Sequence, residues 1–197
     1  MKPIPFPLRQ TLLVGALFCA CAVLQVQAAT TVTSTFAPTQ VVQGTTLLVN
    51  GMGTRYKAIF KVYDLALYTQ SKVSTPEALL ALAGPKRLNF VALRDVPGTD
   101  LGLAFIKGLN SNSSPELVQK HTASSTRLID IFSGKPRLVA GDTFAMEYVP
   151  GKGTTFFIQG QAQGAPVGDA EFFGMVLKIW VGPAPADFKL KDALLGQ

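Results

Sequence analysis

The residues from Tyr56 to Tyr68 constrain the fold more than any other stretch of this 197-residue chain. They are rich in β-branched and aromatic side chains, which pack well on a pleated surface, so we predict a single strand. Gly44, Gly51 and Gly53 precede it and are expected to be turn or bulge residues. Arg55 would then stand just past a glycine turn, where the strand begins.

The amino-terminal residues have the features of a secretory signal peptide. Lys2 and Arg9 precede a nearly apolar run over residues 11–26, and Val26-Gln27-Ala28 offers small residues for a cleavage site. We predict a signal peptide over residues 1–28 and a single domain over residues 29–197. The location would be periplasmic or secreted, with no stable membrane span after cleavage.

Both cysteines, Cys19 and Cys21, fall inside this leading segment. Cys21 weakly resembles a lipoprotein acceptor, but Phe18 fits the preceding position poorly, so cleavage is favoured over lipidation. The mature chain would have no disulfide, and its stability must come from a packed core. A length of roughly 170 residues suits one domain with such a core.

The charge pattern argues against nucleic acid as a partner. The chain has 18 basic and 12 acidic residues, and the basic ones are scattered along it. A nucleic-acid interface needs them clustered on one face or along one helix. The oligomeric state is not indicated by the sequence.

Strand and helix signals alternate along the rest of the chain. Strands are predicted over residues 86–94, 143–149 and 154–158, the last two joined by a Pro-Gly-Lys-Gly hairpin. Helices are predicted after Thr75, over residues 99–109, from Ser114 to Phe132, from Asp169 to Trp180, and from Asp187 to Leu195. This order describes an α+β domain with an antiparallel sheet and helices against one face.

Standard catalytic and metal-binding signatures are missing from the sequence. There is one histidine, His121, and it has no serine in a nucleophile-elbow context near it. A lone histidine lacks the orienting partners that base catalysis needs, so we interpret it as a surface or boundary residue. A tight metal site needs several convergent ligands, and we predict neither a metal nor a cofactor.

Arg55 is the most promising polar residue. Its guanidinium is permanently charged and presents a planar fork suited to a carboxylate or an enolate-like oxygen. Strand alternation would put Lys61 and Tyr63 on one face, and Asp64 and Tyr68 on the other. The alternative is that Arg55 only pairs with an acid at the strand entrance while the tyrosines line the core.

Several segments in order resemble the chalcone isomerase-like family, in its secreted bacterial branch. They are Gly51-Met52-Gly53-Thr54-Arg55, residues 60–68 (FKVYDLALY), residues 86–96, residues 128–132, residues 141–153 and residues 180–196. The resemblance covers nearly all of residues 39–196. It implies an open-faced β-sandwich, in which a large antiparallel sheet is covered by helices on one face.

The resemblance also implies a site. In the plant enzymes of this fold an arginine stabilises the anion formed as a chalcone cyclises, and Arg55 matches that arginine. The strand threonine of those enzymes falls near Tyr63 here, and their helix tyrosine and asparagine fall at Phe105 and Asn112. The residues implied as ligand-binding are therefore Arg55, Tyr63, Phe105 and Asn112, with Arg55 and Tyr63 catalytic if the protein is an enzyme.

Three hypotheses follow from these residues. The first, which we favour because Phe105 lacks a phenolic hydroxyl, is a binder of a fatty acid or a similar small amphipathic anion. The second is an isomerase, an intramolecular lyase acting on an enone such as a chalcone. The third is a non-catalytic structural or partner-binding domain. A deep apolar cavity that reaches Arg55 would separate the first two from the third.

Overall fold

The computed structural model describes residues 34–197 of the chain. The predicted signal peptide, its cleavage site after Ala28 and the acceptor candidate Cys21 lie outside the described residues. Within the described part, no helix is both long enough and apolar enough to cross a membrane.

Nine strands and six helices make up the described residues. The strands are β1 (Thr39–Val42), β2 (Thr45–Lys57), β3 (Phe60–Thr69), β4 (Lys86–Ala92), β5 (Val96–Pro97), β6 (Arg137–Leu138), β7 (Thr143–Val149), β8 (Gly153–Ile158) and β9 (Gln161–Ala162). The helices are α1 (Pro76–Ala81), α2 (Gly98–Asn112), α3 (Pro115–Lys120), α4 (Thr122–Ser133), α5 (Ala170–Val181) and α6 (Phe188–Leu194).

Seven of the strands form one antiparallel sheet in the order β1-β2-β3-β4-β7-β8-β9. The helices α2, α3 and α4 are inserted between the neighbouring strands β4 and β7, and β5 pairs with β6 in a separate small ribbon. The predicted α+β class and the large antiparallel sheet with helices on one face are confirmed.

The two faces of the sheet have different coverings. Tyr63, Leu65 and Leu67 belong to the main core, which includes buried residues of α2, α4, α5 and α6. Ala66 and Tyr68 point to the opposite face, where a smaller buried cluster packs against Phe36. The predicted separation of Tyr63 from Tyr68 is therefore confirmed. We call these the helix face and the open face.

Helix α5 supplies much of the main core. Asp169 caps it by accepting a hydrogen bond from the Phe172 amide at 2.9 Å, as its position in the sequence predicts. Most of its side chains are buried, and the Trp180 side chain is 1% exposed. Burying each large apolar side chain stabilises the fold by about 1.5–3 kcal/mol relative to exposure.

The prediction of a single strand from Tyr56 to Tyr68 is wrong. The chain reverses at Ala58 and Ile59, and Gly51 and Gly53 lie inside β2. A Cβ atom on Gly51 would lie 2.1 Å from the Ala193 carbonyl oxygen of α6. These glycines therefore serve close packing of a helix on the strand and do not form a turn. The register irregularity between Val49 and Gly51 agrees with the alternative of a bulge at Gly51.

The long helix predicted from Ser114 to Phe132 is instead two helices, α3 and α4. The break is at His121, whose backbone angles are φ −101° and ψ 21°. The His121 ring is 7% exposed and lies 6.0 Å, between centroids, from the Phe172 ring of α5. His121 is therefore not a surface residue, but its contact with the half-exposed Glu171 carboxylate agrees with the alternative of a boundary residue.

Candidate functional site

Arg55 and Tyr63 are brought together by the pairing of β2 with β3. They are direct cross-strand partners, and a register irregularity follows immediately, between Arg55 and Tyr56. The guanidinium carbon of Arg55 lies 5.6 Å from the centroid of the Tyr63 ring, within cation–π range. The strand pairing thus holds a cation and a phenol side by side on the helix face.

The charge of Arg55 is not neutralised by a neighbouring acid. Among residues 34–197 no carboxylate lies within 4.0 Å of its guanidinium, and its buried Nε atom has no hydrogen-bond partner. The Asp187 carboxylate nearby accepts from the Tyr56 amide at 2.9 Å and from the Leu190 amide at 3.2 Å. The alternative in which Arg55 pairs with an acid at the strand entrance is therefore not observed in the described residues.

Tyr63 is held as a hydrogen-bond donor. The Trp180 indole Nε1–H donates to the Tyr63 hydroxyl oxygen at 2.7 Å, which leaves the phenolic proton free to point elsewhere. Burial raises the pKa of Tyr63 above its ordinary value of 10.0, against smaller lowering effects of Arg55 and the Trp180 hydrogen bond. Tyr63 is therefore a neutral phenol at physiological pH.

Two cavities meet at Arg55. The first, of about 150 Å³, is also lined by Tyr63, Phe105 and Ile179. The second, of about 170 Å³, extends from Arg55 towards Lys57 and Arg94. Leu101 and Ala104 of α2 line both of them. An anionic group at Arg55 would therefore have apolar side chains and Lys107 on one side. On the other side the lining is charged, with Asp95 and Asp100 beside the basic residues.

Phe105 and Asn112, both on α2, have different positions. Phe105 lines the first cavity and packs against Phe132 and Trp180, with ring centroids 5.0 and 6.3 Å away. The Asn112 amide instead binds backbone groups: it donates to the carbonyl oxygens of Gly108 and Ala184 and accepts from the Ala184 amide, each at 2.9 Å. Asn112 does not line either cavity at Arg55.

A second polar cluster lies at the beginning of α5. The His121 Nε2 atom is 2.8 Å from a Glu171 carboxylate oxygen and 4.0 Å from the Asp169 carboxylate. This convergence of three possible ligands was not predicted from the sequence. Lys120 donates to the same Glu171 oxygen, and Asp169 caps α5. Because the Lys120 ammonium already pairs with the Glu171 carboxylate, the contacts are those of a structural ion-pair cluster.

The helix face also contains site residues that the sequence did not point to. Trp180 orients Tyr63 from α5, and Lys107 and Ser111 line the first cavity from α2. The sequence gives little indication that these residues belong to the site. A tryptophan in an apolar helix, such as Trp180, is ordinarily a core residue. Its role depends on which tyrosine the sheet places opposite it.

Comparison with known proteins agrees with this architecture. The model of the chalcone isomerase-like family matches residues 28–196. The chain belongs to the chalcone isomerase-like family. Its assignment to the secreted bacterial branch remains a prediction. No curated protein sequence matches the chain.

A solved structure has a similar fold. It is the crystal structure of a fatty-acid binding protein from Arabidopsis thaliana, with a TM-score of 0.61 and 13% sequence identity. The match covers 80% of this chain and 95% of the plant protein. At this identity the likeness shows the fold alone.

Proposed function

We propose that the protein binds a fatty acid or a similar small amphipathic anion, with its carboxylate on Arg55. The observation that carries this proposal is the unpartnered, buried Nε atom of Arg55 next to a cavity whose lining combines polar and apolar groups. A partly buried cation without a counter-ion is costly. A bound carboxylate would supply the missing acceptor through a charge-assisted hydrogen bond.

Tyr63 is the second donor in this proposal. Because Trp180 donates to its oxygen, the phenolic proton is available for the second oxygen of the carboxylate. Burial keeps Tyr63 neutral, so it donates without adding a second charge. One cation and one neutral donor are a sufficient pair for a single carboxylate.

The cavity volumes limit the acyl chain. The first cavity, which would hold the chain, has a volume of about 150 Å³, below that of typical small-molecule pockets, about 300–1,000 Å³. We therefore expect octanoate and decanoate to fill the available apolar space. Affinity should rise by up to about 0.8 kcal/mol for each methylene until that point and level off for palmitate.

The plant structure supports the proposal at the level of the fold. That plant protein is a fatty-acid binding protein. The same family fold here carries an arginine without an ion-pair partner, next to a cavity that Phe105 and Ile179 help to line. The predicted signal peptide leads us to propose further that binding takes place in the periplasm or outside the cell. Mass measurement of the exported protein would identify its first residue, and a mass that includes residues 1–28 would contradict this location.

An isomerase acting on an enone is the second candidate. Arg55 and Tyr63 would stabilise a developing oxyanion as well as they would hold a carboxylate. Phe105, however, presents a phenyl ring to the cavity where the resemblance calls for a phenol. Loss of chalcone absorbance above the uncatalysed rate, abolished by Arg55→Ala, would favour this candidate over simple binding.

Native mass spectrometry tests the binding proposal. Wild-type protein mixed with decanoate should show one bound ligand, and Arg55→Ala should show none. Arg127→Ala is the matched control, because Arg127 is exposed and lines neither cavity at Arg55. Equal occupancy in wild-type protein and Arg55→Ala would contradict the anchoring role, and no adduct in any variant would contradict binding itself.

A further inference from the structure

The turn between β2 and β3 has an unusual composition for its position. Of the three two-residue hairpin turns in residues 34–197, the other two are Gln43-Gly44 and Gln159-Gly160, with positive φ at both residues. The β2–β3 turn is Ala58-Ile59, and Ala58 has φ 54°. A glycine, asparagine or aspartate is the ordinary choice for such a turn. Ile59 itself has no positive φ, so turn geometry neither requires nor disfavours an isoleucine at this tip.

The side chains at this tip are apolar and exposed. Ile59 is 83% exposed and Phe60 is 56% exposed. Both would lose unfavourable contact with water by entering an apolar phase. Two side chains are far fewer than the roughly 20–30 residues that each partner contributes to a stable protein–protein interface. The tip is therefore better suited to insertion than to a protein contact.

Basic side chains predominate at the same tip, although Asp95 and Asp100 line the cavity next to it. Lys57 and Lys61 are exposed and flank the turn, and residues 51–63 contain no acidic residue. The Arg94 guanidinium carbon lies 5.2 Å from the Phe60 ring centroid. Asp95 lies beside Arg94, but its carboxylate is paired with Arg137 at 3.3 Å.

We infer that this tip, residues 57–61 with Arg94, docks the protein on an anionic phospholipid surface. Ile59 and Phe60 would enter the boundary between head groups and acyl chains, while Lys57, Lys61 and Arg94 contact the phosphates. Each lysine or arginine near an anionic membrane adds about 1 kcal/mol of attraction, and aliphatic stems let the charges stay at the surface.

The docking surface adjoins the site at Arg55. Lys57 and Arg94 line the second cavity together with Arg55. A membrane contact here would open that cavity towards the lipid, which is where an amphipathic anion resides. The inference rests on the tip itself and stands whether or not Arg55 binds a fatty acid.

Vesicle flotation tests the inference with the full chain. The probes are vesicles of phosphatidylcholine alone and of phosphatidylcholine with one third phosphatidylglycerol. Wild-type protein should float with the anionic vesicles. The double variant Ile59→Ser/Phe60→Ser should bind these vesicles at least about tenfold more weakly than wild type. The matched control is Val41→Ser/Leu48→Ser, which removes two exposed apolar side chains at the other end of β2.

A second pair of variants tests the charges. Lys57→Gln/Lys61→Gln should reduce binding to anionic vesicles by about tenfold or more and leave any binding to phosphatidylcholine unchanged. Lys72→Gln/Lys152→Gln changes the net charge equally at exposed positions outside the tip and should bind like wild type. Residues 1–28 are common to all variants, so any binding they contribute is the same in each.

Two results would overturn the inference. One is wild-type protein that does not prefer anionic vesicles, as expected if the tip instead meets an acidic protein. The other is a tip variant that floats as well as its matched control. Fatty-acid binding measured without vesicles should be unaffected by Ile59→Ser/Phe60→Ser, so failure of the docking inference is distinguishable from failure of the proposed function.

Discussion

Arg55 and Arg87 lie on opposite faces of the same sheet and differ in how their charge is satisfied. Arg87, on the open face, pairs with Glu147, donates from Nε to Asn89 at 2.7 Å and stacks 5.0 Å from the Phe157 ring centroid. Arg55, on the helix face, has a buried Nε atom with no acceptor. Arg87 thus has hydrogen-bond and ion-pair partners within the protein, whereas the Nε atom of Arg55 has no acceptor among the described residues.

This difference matters more than the size of the neighbouring cavity. The open face has a cavity of about 340 Å³ lined by Arg87 and Tyr68, which is larger than either cavity at Arg55. Its polar groups are used within the protein: the Tyr68 hydroxyl, for example, donates to the Ala37 carbonyl at 2.9 Å. A buried donor that lacks a partner is the better indication of a ligand.

The largest expected effect is on binding through Arg55. Arg55→Ala should weaken decanoate binding by about 2 kcal/mol or more, roughly thirtyfold, because the ligand carboxylate would lose its buried cation. The free energy of unfolding should change by no more than about 0.5 kcal/mol, since no internal ion pair is lost. Titration calorimetry and urea unfolding measure the two quantities. A variant that is strongly destabilised would contradict the comparison.

The opposite result is expected for Arg87. Arg87→Ala should reduce the free energy of unfolding by about 2 kcal/mol, because it leaves Glu147, whose side chain is 12% exposed, without its partner. Decanoate affinity should be unchanged. Replacing both residues, as in Arg87→Met/Glu147→Met, should recover most of the stability in urea unfolding. A loss of affinity in Arg87→Ala would place the ligand on the open face.

Two of the buried tyrosines, Tyr63 and Tyr68, give a smaller and matched contrast. Tyr63→Phe should weaken decanoate binding about tenfold and cost about 1 kcal/mol of stability, because the Trp180 N–H loses its acceptor. Tyr68→Phe should cost a similar amount of stability without changing affinity, since its hydroxyl binds Ala37. Equal affinities for the two variants would remove Tyr63 from the site.

The smallest expected effect is that of pH. Affinity for decanoate should be constant between about pH 6 and 9, because a guanidinium is always charged in proteins and the buried Tyr63 stays neutral there. Burial raises the pKa of Tyr63, so its contribution to stability is complete below pH 10.0 and is lost as pH rises above that value. Alkaline unfolding followed by circular dichroism should show this loss, and Tyr63→Phe should reduce it. Affinity that changes near pH 7 would implicate a group outside this pair.

Much of the fold could be predicted because local signals agreed with the global pattern. Asp169 and Asp187 cap helices where the sequence places them, and alternation in β3 puts Tyr63 and Tyr68 on opposite faces. The path of β2 could not be predicted. Gly51 and Gly53 looked like turn residues, but their purpose is contact with α6, which is far away in the sequence.

The site was predictable only in part for the same reason. Arg55 and Tyr63 could be singled out by residue chemistry and by resemblance to the family. Their pairing across β2 and β3, the indole of Trp180 and the backbone contacts of Asn112 depend on tertiary packing. His121 shows the limit most plainly, because a single residue in a polar stretch gave no sign of the Glu171 carboxylate beside it.

A crystal structure with a bound fatty acid that carries bromine at its methyl end tests the central claim most directly. We expect the carboxylate within about 3 Å of the Arg55 guanidinium and the Tyr63 hydroxyl. The bromine should lie among the apolar residues of the first cavity, beside Phe105 and Ile179. A carboxylate bound at Arg87 on the open face, with Arg55 still unpartnered, would contradict it.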